Sequence, residues 1–235
     1  MPACPSCGRE NPADFEFCPA CGASLDAVAA PAREVRKTVT IVFCDVTGST
    51  AMGERLDPES LRRVMSRYFS EMRTALERHG GTVEKFIGDA VMAVFGVPRI
   101  HEDDALRAVR AAADMREAVR LLTKELERDH GVALQTRIGV NTGEVVAGDG
   151  TDESLVTGDA VNVAARLEQA AAPGEILIGA DTHALVRDAV VAEPVDALGL
   201  KGKAEAVPAF RLIEVTAGAA GIARRLDSPM VGRDR

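Results

Sequence analysis

From Lys37 onward the chain alternates short apolar runs with longer stretches in which apolar residues recur every three to four positions, a pattern that predicts a sheet backed by helices. Residues 37–45, centred on Val39-Thr40-Ile41-Val42-Phe43, form a β-branched run suited to a central strand, followed by the small polar turn Val46-Thr47-Gly48-Ser49-Thr50. Asp57-Pro58 joins a capping side chain to a proline at the first helical position, and Leu61, Met65, Tyr68, Met72 and Leu76 carry a helix to Gly80-Gly81. Two short apolar strands, 83–87 and 91–95, flank Gly88-Asp89-Ala90 and predict a hairpin. Ala105, Val109, Ala112, Met115, Val119, Leu122 and Leu126 share one stripe, which predicts a helix over 102–128. Strands are expected at 135–141 and 143–147, broken at Thr142-Gly143, then a glycine-flanked loop over 148–158 and a helix over 159–171. Strands at 175–178, 190–192 and 209–213, with a short helix near 181–186, complete the pattern. The order β-α-β-β-α-β with later additions predicts an α+β domain: a ferredoxin-like, antiparallel-rich sheet with helices packed on it.

Outside 37–215 the periodicity fails. Residues 26–36 are Ala, Pro and charge without a repeat, the composition of a linker. Residues 216–235 carry four Arg against two Asp with little apolar patterning, so they read as a further linker leading toward the start of a C-terminal region. Residues 1–25 contain a different signal, the duplicated pattern Cys4-Pro5-Ser6-Cys7-Gly8 and Cys18-Pro19-Ala20-Cys21-Gly22. Each copy sets two thiolates on a tight knuckle whose glycine permits the turn, and two knuckles make a tetrahedral four-sulfur zinc site. A pair of disulfides is the alternative, disfavoured in a reducing compartment. Phe15 and Phe17 are expected to plug this small ribbon, which is too short to fold without its metal. Cys44 lies within the first strand and reads as a buried thiol without reactive duty.

Composition narrows the function. A formal net charge of −8, from 36 acidic and 28 basic residues, disfavours a surface that coats nucleic acid or anionic lipid. Aromatic content of 3% leaves few platforms for stacking bases. No apolar run approaches the roughly 18 residues of a membrane span, and Met1-Pro2-Ala3-Cys4 opens no signal peptide, so a cytoplasmic protein is expected.

Two aspartates stand out. Asp45 closes the first strand and Asp89 sits in the hairpin that leads into the third, and a ferredoxin-like sheet makes those strands antiparallel neighbours. Carboxylates brought together there suit a hard cation carrying a nucleotide's phosphates, although aspartates also favour strand ends and turns on their own account. The turn Thr47-Gly48-Ser49-Thr50 could aim amides at phosphate oxygens. Asn162 and Arg166 stand four apart on one helical face, offering an amide and a planar cation to one ligand or simply to water. Lys201-Gly202-Lys203 could touch a polyphosphate or form a solvated turn.

Three segments in order, Phe43-Cys44-Asp45-Val46-Thr47-Gly48-Ser49-Thr50, Glu84-Lys85-Phe86-Ile87-Gly88-Asp89 and Gly158-Asp159-Ala160-Val161-Asn162-Val163-Ala164-Ala165-Arg166, resemble the class III adenylate/guanylate cyclases over about residues 36–215. The resemblance implies a homodimer with two interfacial sites that converts ATP to cyclic AMP and pyrophosphate. It also implies that Asp45 and Asp89 of one protomer hold two Mg²⁺ or Mn²⁺ ions, while the other protomer supplies Lys85 to read the purine, Asn162 to orient the ribose and Arg166 to stabilise the transition state. Seven residues before Asn162, where many members carry Asp or Thr as a second purine reader, this chain has Leu155. Lys85 is then the main selector, and a cation there can donate to adenine N1 but faces the N1–H of guanine. The ribbon and the tail resemble the front of bacterial regulators in which ribbon and cyclase precede a C-terminal ATPase. Guanylate cyclase activity, a catalytically weak nucleotide-binding or dimerisation module, and a zinc-ribbon nucleic-acid protein are the competing readings.

Overall fold

A computed structural model describes residues 3–4, 7–12, 15, 17–22, 35–148, 156–198 and 206–219. Strand β1 (Val35–Thr47) starts two residues before the expected Lys37 and runs to Thr47. Its even-numbered residues Val42, Cys44 and Val46 point into one core cluster and its odd-numbered Val39 and Ile41 into another, the period of two that a strand buried on both faces requires. Helix α1 (Ser49–Arg55) follows at once, a difference from the sequence expectation of a plain turn: Val46 and Thr47 stay in the strand and Gly48, at φ +93°, turns the chain into the helix. Helix α2 (Pro58–Arg78) begins as its sequence predicts, with the Asp57 side chain accepting from the Ser60 amide at 2.9 Å.

Strands β2 (Thr82–Ile87) and β3 (Ala90–Phe95) form the expected hairpin, with Gly88 and Asp89 as its two turn residues. Helix α3 (Asp104–His130) buries the predicted stripe from Ala105 to Leu126 and packs beside α2 on one face of the sheet. The spatial order β2-β3-β1-β4, where β4 is Gln135–Ala147, with α2 and α3 on one face is the ferredoxin-like core, and β6 (Ile176–Gly179), β8 (Val207–Val215) and β7 (Val190–Leu198) extend it. All neighbours on that path are antiparallel except β4 and β6.

The expected break at Thr142-Gly143 does not occur. Strand β4 (Gln135–Ala147) is continuous and pairs with β1 along its whole length. Gly143 is needed there for room rather than for a turn: a Cβ on it would lie 2.8 Å from Cβ of Ala160 in helix α4 (Asp159–Ala170). Gly139, on the same face, is tighter still, since its Cβ would lie 2.2 Å from the Ala164 carbonyl oxygen and 2.3 Å from the Glu168 amide nitrogen. These two glycines form the bed on which α4 lies, and Ala160 and Ala164 are the small residues that meet it. Strand β5 (Val156–Thr157) pairs with the end of β4, and β6 (Ile176–Gly179), helix α5 (Ala180–Val186), β7 (Val190–Leu198) and β8 (Val207–Val215) follow. Strand β7 runs six residues beyond the expected 190–192 and tolerates Pro194 because it is the sheet's edge. Among the described residues no helix is long and apolar enough to cross a membrane.

Candidate active site

The far end of the β1–β4 ladder places Asp45 opposite Arg137, and their side chains meet: Nη2 of Arg137 donates to Oδ2 of Asp45 at 2.6 Å. The same Nη2 lies 3.2 Å from Oε1 of Glu168, which reaches the site from the sheet-facing side of α4. Glu168 is 6% exposed. Burial pushes its carboxyl up, Arg137 pulls it back, and the charges of Asp45 and Asp89 push it up again, to about 7. Asp45 in turn holds Arg137 firmly protonated through their hydrogen bond.

Asp89 comes to the same place by the hairpin. Cys44 of β1 pairs with Val91 of β3, so Asp45 and Asp89 stand at one end of that antiparallel ladder. Both charges act on Arg137 and on Glu168. Behind them Cys44 is fully buried, its Sγ 3.6 Å from the Tyr68 hydroxyl and its thiol pushed up to about 12 by burial, which makes it inert. Two carboxylates thus contact one guanidinium, and the charge of a third, Asp89, acts on it from the hairpin. The excess negative charge and the all-oxygen donor set fit a hard divalent cation whose remaining ligands come from phosphates and water.

Lys85 projects from β2 opposite Met92, half exposed, with its ammonium 3.7 Å from Oε1 of Glu84. Asn162 and Arg166 share the outward face of α4, and among the described residues neither side chain has a hydrogen-bond or ion-pair partner. Within one chain, then, the structure places Asp45 and Asp89 at one end of the β1–β3 ladder and leaves Asn162 and Arg166 facing away from α4's own bed. Thr47 is committed elsewhere, its hydroxyl donating to the Gln135 carbonyl at 3.2 Å. Gly48, Ser49 and Thr50 form the start of α1 immediately after it. Leu155 and Lys201 lie outside the described residues.

Sequence reasoning missed Arg137 and Glu168. Glu168 does carry a signal, because Ala160, Val163, Ala164, Leu167 and Glu168 follow the buried spacing of α4, and a carboxylate at a core position demands a cationic partner.

The ribbon gathers its four cysteines as expected, with all four sulfurs within 4.8 Å of one another. Cys4 and Cys21 are 3.6 Å apart and Cys7 and Cys18 3.7 Å, close to the roughly 3.8 Å edge of a tetrahedron with Zn–S bonds of about 2.3 Å. The Ala20 amide draws the Cys18 thiol down to about 6, whereas Cys7, despite the Arg9 amide, is pushed up to about 12 by the Cys21 and Cys4 sulfurs. Four sulfurs crowded this way share charge until a metal takes it. The glycines permit the turn as expected: Gly8 and Gly22, both at positive φ, donate to the Cys4 and Cys18 carbonyls at 2.9 and 2.8 Å, and the Arg9 and Ala20 amides face the Cys7 and Cys18 sulfurs. Phe15 and Phe17 are not a plug, being 42% and 60% exposed. Among the described ribbon residues the buried side chains are Cys4, Cys18 and Asn11. Metal analysis of protein purified without chelator is expected to return one zinc per chain, and removal of residues 1–25 to leave the cyclase-like fold intact. Absence of zinc, or unfolding on that truncation, would contradict an independent ribbon.

Residues 32–213 match the family described as adenylate and guanylate cyclase catalytic domain, and residues 4–25 match a zinc-ribbon domain. An adenylate cyclase of Anabaena cylindrica is 34% identical over 140 residues, 56% of this chain but 27% of that protein. The chain therefore spans about a quarter of that relative's length. Among solved structures, the adenylyl cyclase CyaB from P. aeruginosa superposes with a TM-score of 0.75 at 31% identity over 80% of this chain and all of that one. The guanylyl cyclase Cya2 superposes at 0.69 with 32% identity over 79% of this chain and 96% of that one. With the ferredoxin-like core and a family match over most of its length, this chain belongs to the class III nucleotidyl cyclase catalytic-domain family, with a zinc ribbon ahead of the cyclase domain.

Proposed function

We propose that the protein is an adenylate cyclase that converts ATP to 3′,5′-cyclic AMP and pyrophosphate at sites shared across a homodimer. The observation that carries this reading is the division of polar residues: Asp45, Asp89, Arg137 and Glu168 converge within one chain, while Asn162 and Arg166 face outward without a partner among the described residues. A second copy that presents its Asn162 and Arg166 to the first copy's Asp45 and Asp89 would complete a nucleotide site.

Asp45 and Asp89 would hold Mg²⁺ or Mn²⁺, which when bound lowers the pKa of the ribose 3′-hydroxyl and neutralises phosphate charge. Asn162 orients the ribose so that this hydroxyl faces the α-phosphorus in line with the departing pyrophosphate. Arg166, a planar donor with no competing partner among the described residues, stabilises the charge that grows on the phosphate oxygens. Arg137 lies beside Asp45 and adds a second cation on the phosphate side. Lys85 donates to adenine N1, and the same ammonium meets a donor when guanine is presented. That difference favours ATP over GTP, and it sets this chain's base choice apart from the one named for Cya2.

Lys85→Glu tests the assignment of base choice. The variant is expected to lose most of its activity with ATP and to gain relative activity with GTP, read by separating cyclic AMP from cyclic GMP after incubation with each triphosphate. Unchanged ATP kinetics would show that another residue reads the base.

A further inference from the structure

Arg137 is poorly satisfied where it stands. One nitrogen, Nη2, serves both Asp45 at 2.6 Å and Glu168 at 3.2 Å, and only the first contact has hydrogen-bond geometry. Meanwhile Nε of Arg137 and Oε1 of Glu168 are both buried without a hydrogen-bond partner. An orphaned donor and an orphaned acceptor on adjacent residues cost free energy that a small movement would recover. The Nε and Nη2 edge of a guanidinium matches the two oxygens of a carboxylate side-on. Rotation of Arg137 away from Asp45 would bring that edge onto Glu168 and satisfy both orphans at once.

We infer that Glu168 is a positioning residue that receives Arg137 when Asp45 gives its carboxylate to a divalent cation, so that Arg137 works as a two-position side chain. In one position it occupies Oδ2 of Asp45, an oxygen that the carboxylate would otherwise offer to a cation. In the other it is held bidentately by Glu168, Asp45 is free to ligate, and the guanidinium remains in the site with a cationic face for phosphate. Glu168 thereby sets how readily the site exchanges its internal cation for an external one. Gly139 makes this possible, because only a residue without Cβ lets α4 lie close enough for Glu168 to reach the strand that carries Arg137. The inference rests on the reading that Asp45 binds a cation.

Two measurements on the full chain test it. The first follows the Arg137 Nε–H resonance, assigned by its loss in Arg137→Lys, during titration with Mg²⁺. It should shift on saturation in the wild type, as the orphaned proton gains an acceptor, and stay fixed in Glu168→Gln. The second is Mn²⁺ affinity by electron paramagnetic resonance without nucleotide. Glu168→Gln should weaken it about tenfold, the scale of losing a charge-assisted hydrogen bond from one of two competing states. Glu168→Asp separates positioning from simple charge, because the shorter carboxylate keeps its charge near the site but falls short of Arg137. It should weaken Mn²⁺ binding as Glu168→Gln does. Wild-type affinity in Glu168→Asp, or an Arg137 signal that stays fixed while the wild type binds Mg²⁺, overturns the inference and leaves the metal reading standing. A wild type that binds neither ion, or binds Mn²⁺ equally well after Asp45→Asn, overturns both.

Discussion

Asp45→Ala and Arg166→Ala should each be nearly inactive as homodimers, and mixing the two should restore cyclic AMP formation. The first change removes a carboxylate at the end of β1 that Arg137 already shows to be within reach of a cation. The second removes a guanidinium that projects from the outward face of α4 and has no structural partner among the described residues. Losing one preorganised charge partner from such a site costs roughly 10²-fold or more in rate. If the site is shared, a heterodimer of the two variants places both lesions at one interface and none at the other. Its activity should approach half that of the wild type per dimer, provided that subunits exchange and the two sites act independently. Verified heterodimers as inactive as their parents would contradict the shared site as stated. Arg166→Ala should also leave the unfolding temperature near that of the wild type, because the side chain makes no hydrogen bond or ion pair among the described residues.

Gly139→Ala should have the largest effect on stability of any single methyl group added to the sheet. The new Cβ would meet the Ala164 oxygen at 2.2 Å and the Glu168 nitrogen at 2.3 Å, and both are backbone atoms of a helix that cannot swing aside. Overpacking a rigid contact costs about 1–3 kcal/mol and more where nothing yields. Against this, alanine in place of glycine returns only about 0.4–1 kcal/mol by restricting the unfolded chain. The clash wins, α4 must lift from β4, and Asn162, Arg166 and Glu168 lift with it. Gly53→Ala is the matched contrast, since its Cβ would meet Leu61 at an ordinary 3.9 Å within helix α1. That change should raise stability slightly, by up to about 1 kcal/mol of helix propensity. Denaturant unfolding of both variants checks the pair. A Gly139→Ala protein as stable as the wild type would mean that α4 does not rest on β4 as described.

The contrast between these glycines explains what the sequence conveyed and what it withheld. Gly88 was legible, because a glycine next to Asp between two apolar runs marks a hairpin, and the hairpin is what delivers Asp89 to Asp45. Gly143 was misleading, because a glycine beside a threonine inside a strand has the same local signature whether it ends the strand or makes room for a helix packed across it. Only the partner element decides, and Ala160 is seventeen residues further along the chain. The Thr142 hydroxyl tells the same story: it bonds Thr40 and Thr182 at 2.9 Å each, partners separated from it by 102 and 40 residues. The positions of Asp45 and Asp89 at strand and hairpin ends, and of Asn162 and Arg166 on the face of α4 turned away from the sheet, follow from spacing, while the roles proposed for them rest on the resemblance. Arg137 and Glu168 were not, because a charge in a strand and a charge in a helix show their pairing only when the β1–β4 register and the α4 packing are both known. The ribbon divides in the same way. Its clustered sulfurs follow from spacing alone, whereas the exposure of Phe15 and Phe17 shows only in the folded ribbon.

The central claim is the reaction and its base. The direct measurement is product analysis after incubating the purified chain with ATP and, separately, with GTP, each with Mg²⁺ and with Mn²⁺. ATP should yield 3′,5′-cyclic AMP and pyrophosphate in equal amounts, abolished by chelation, with far less cyclic GMP from GTP. Cyclic GMP as the dominant product would contradict the role given to Lys85, and no cyclic nucleotide from either substrate with either ion would contradict the proposed enzyme.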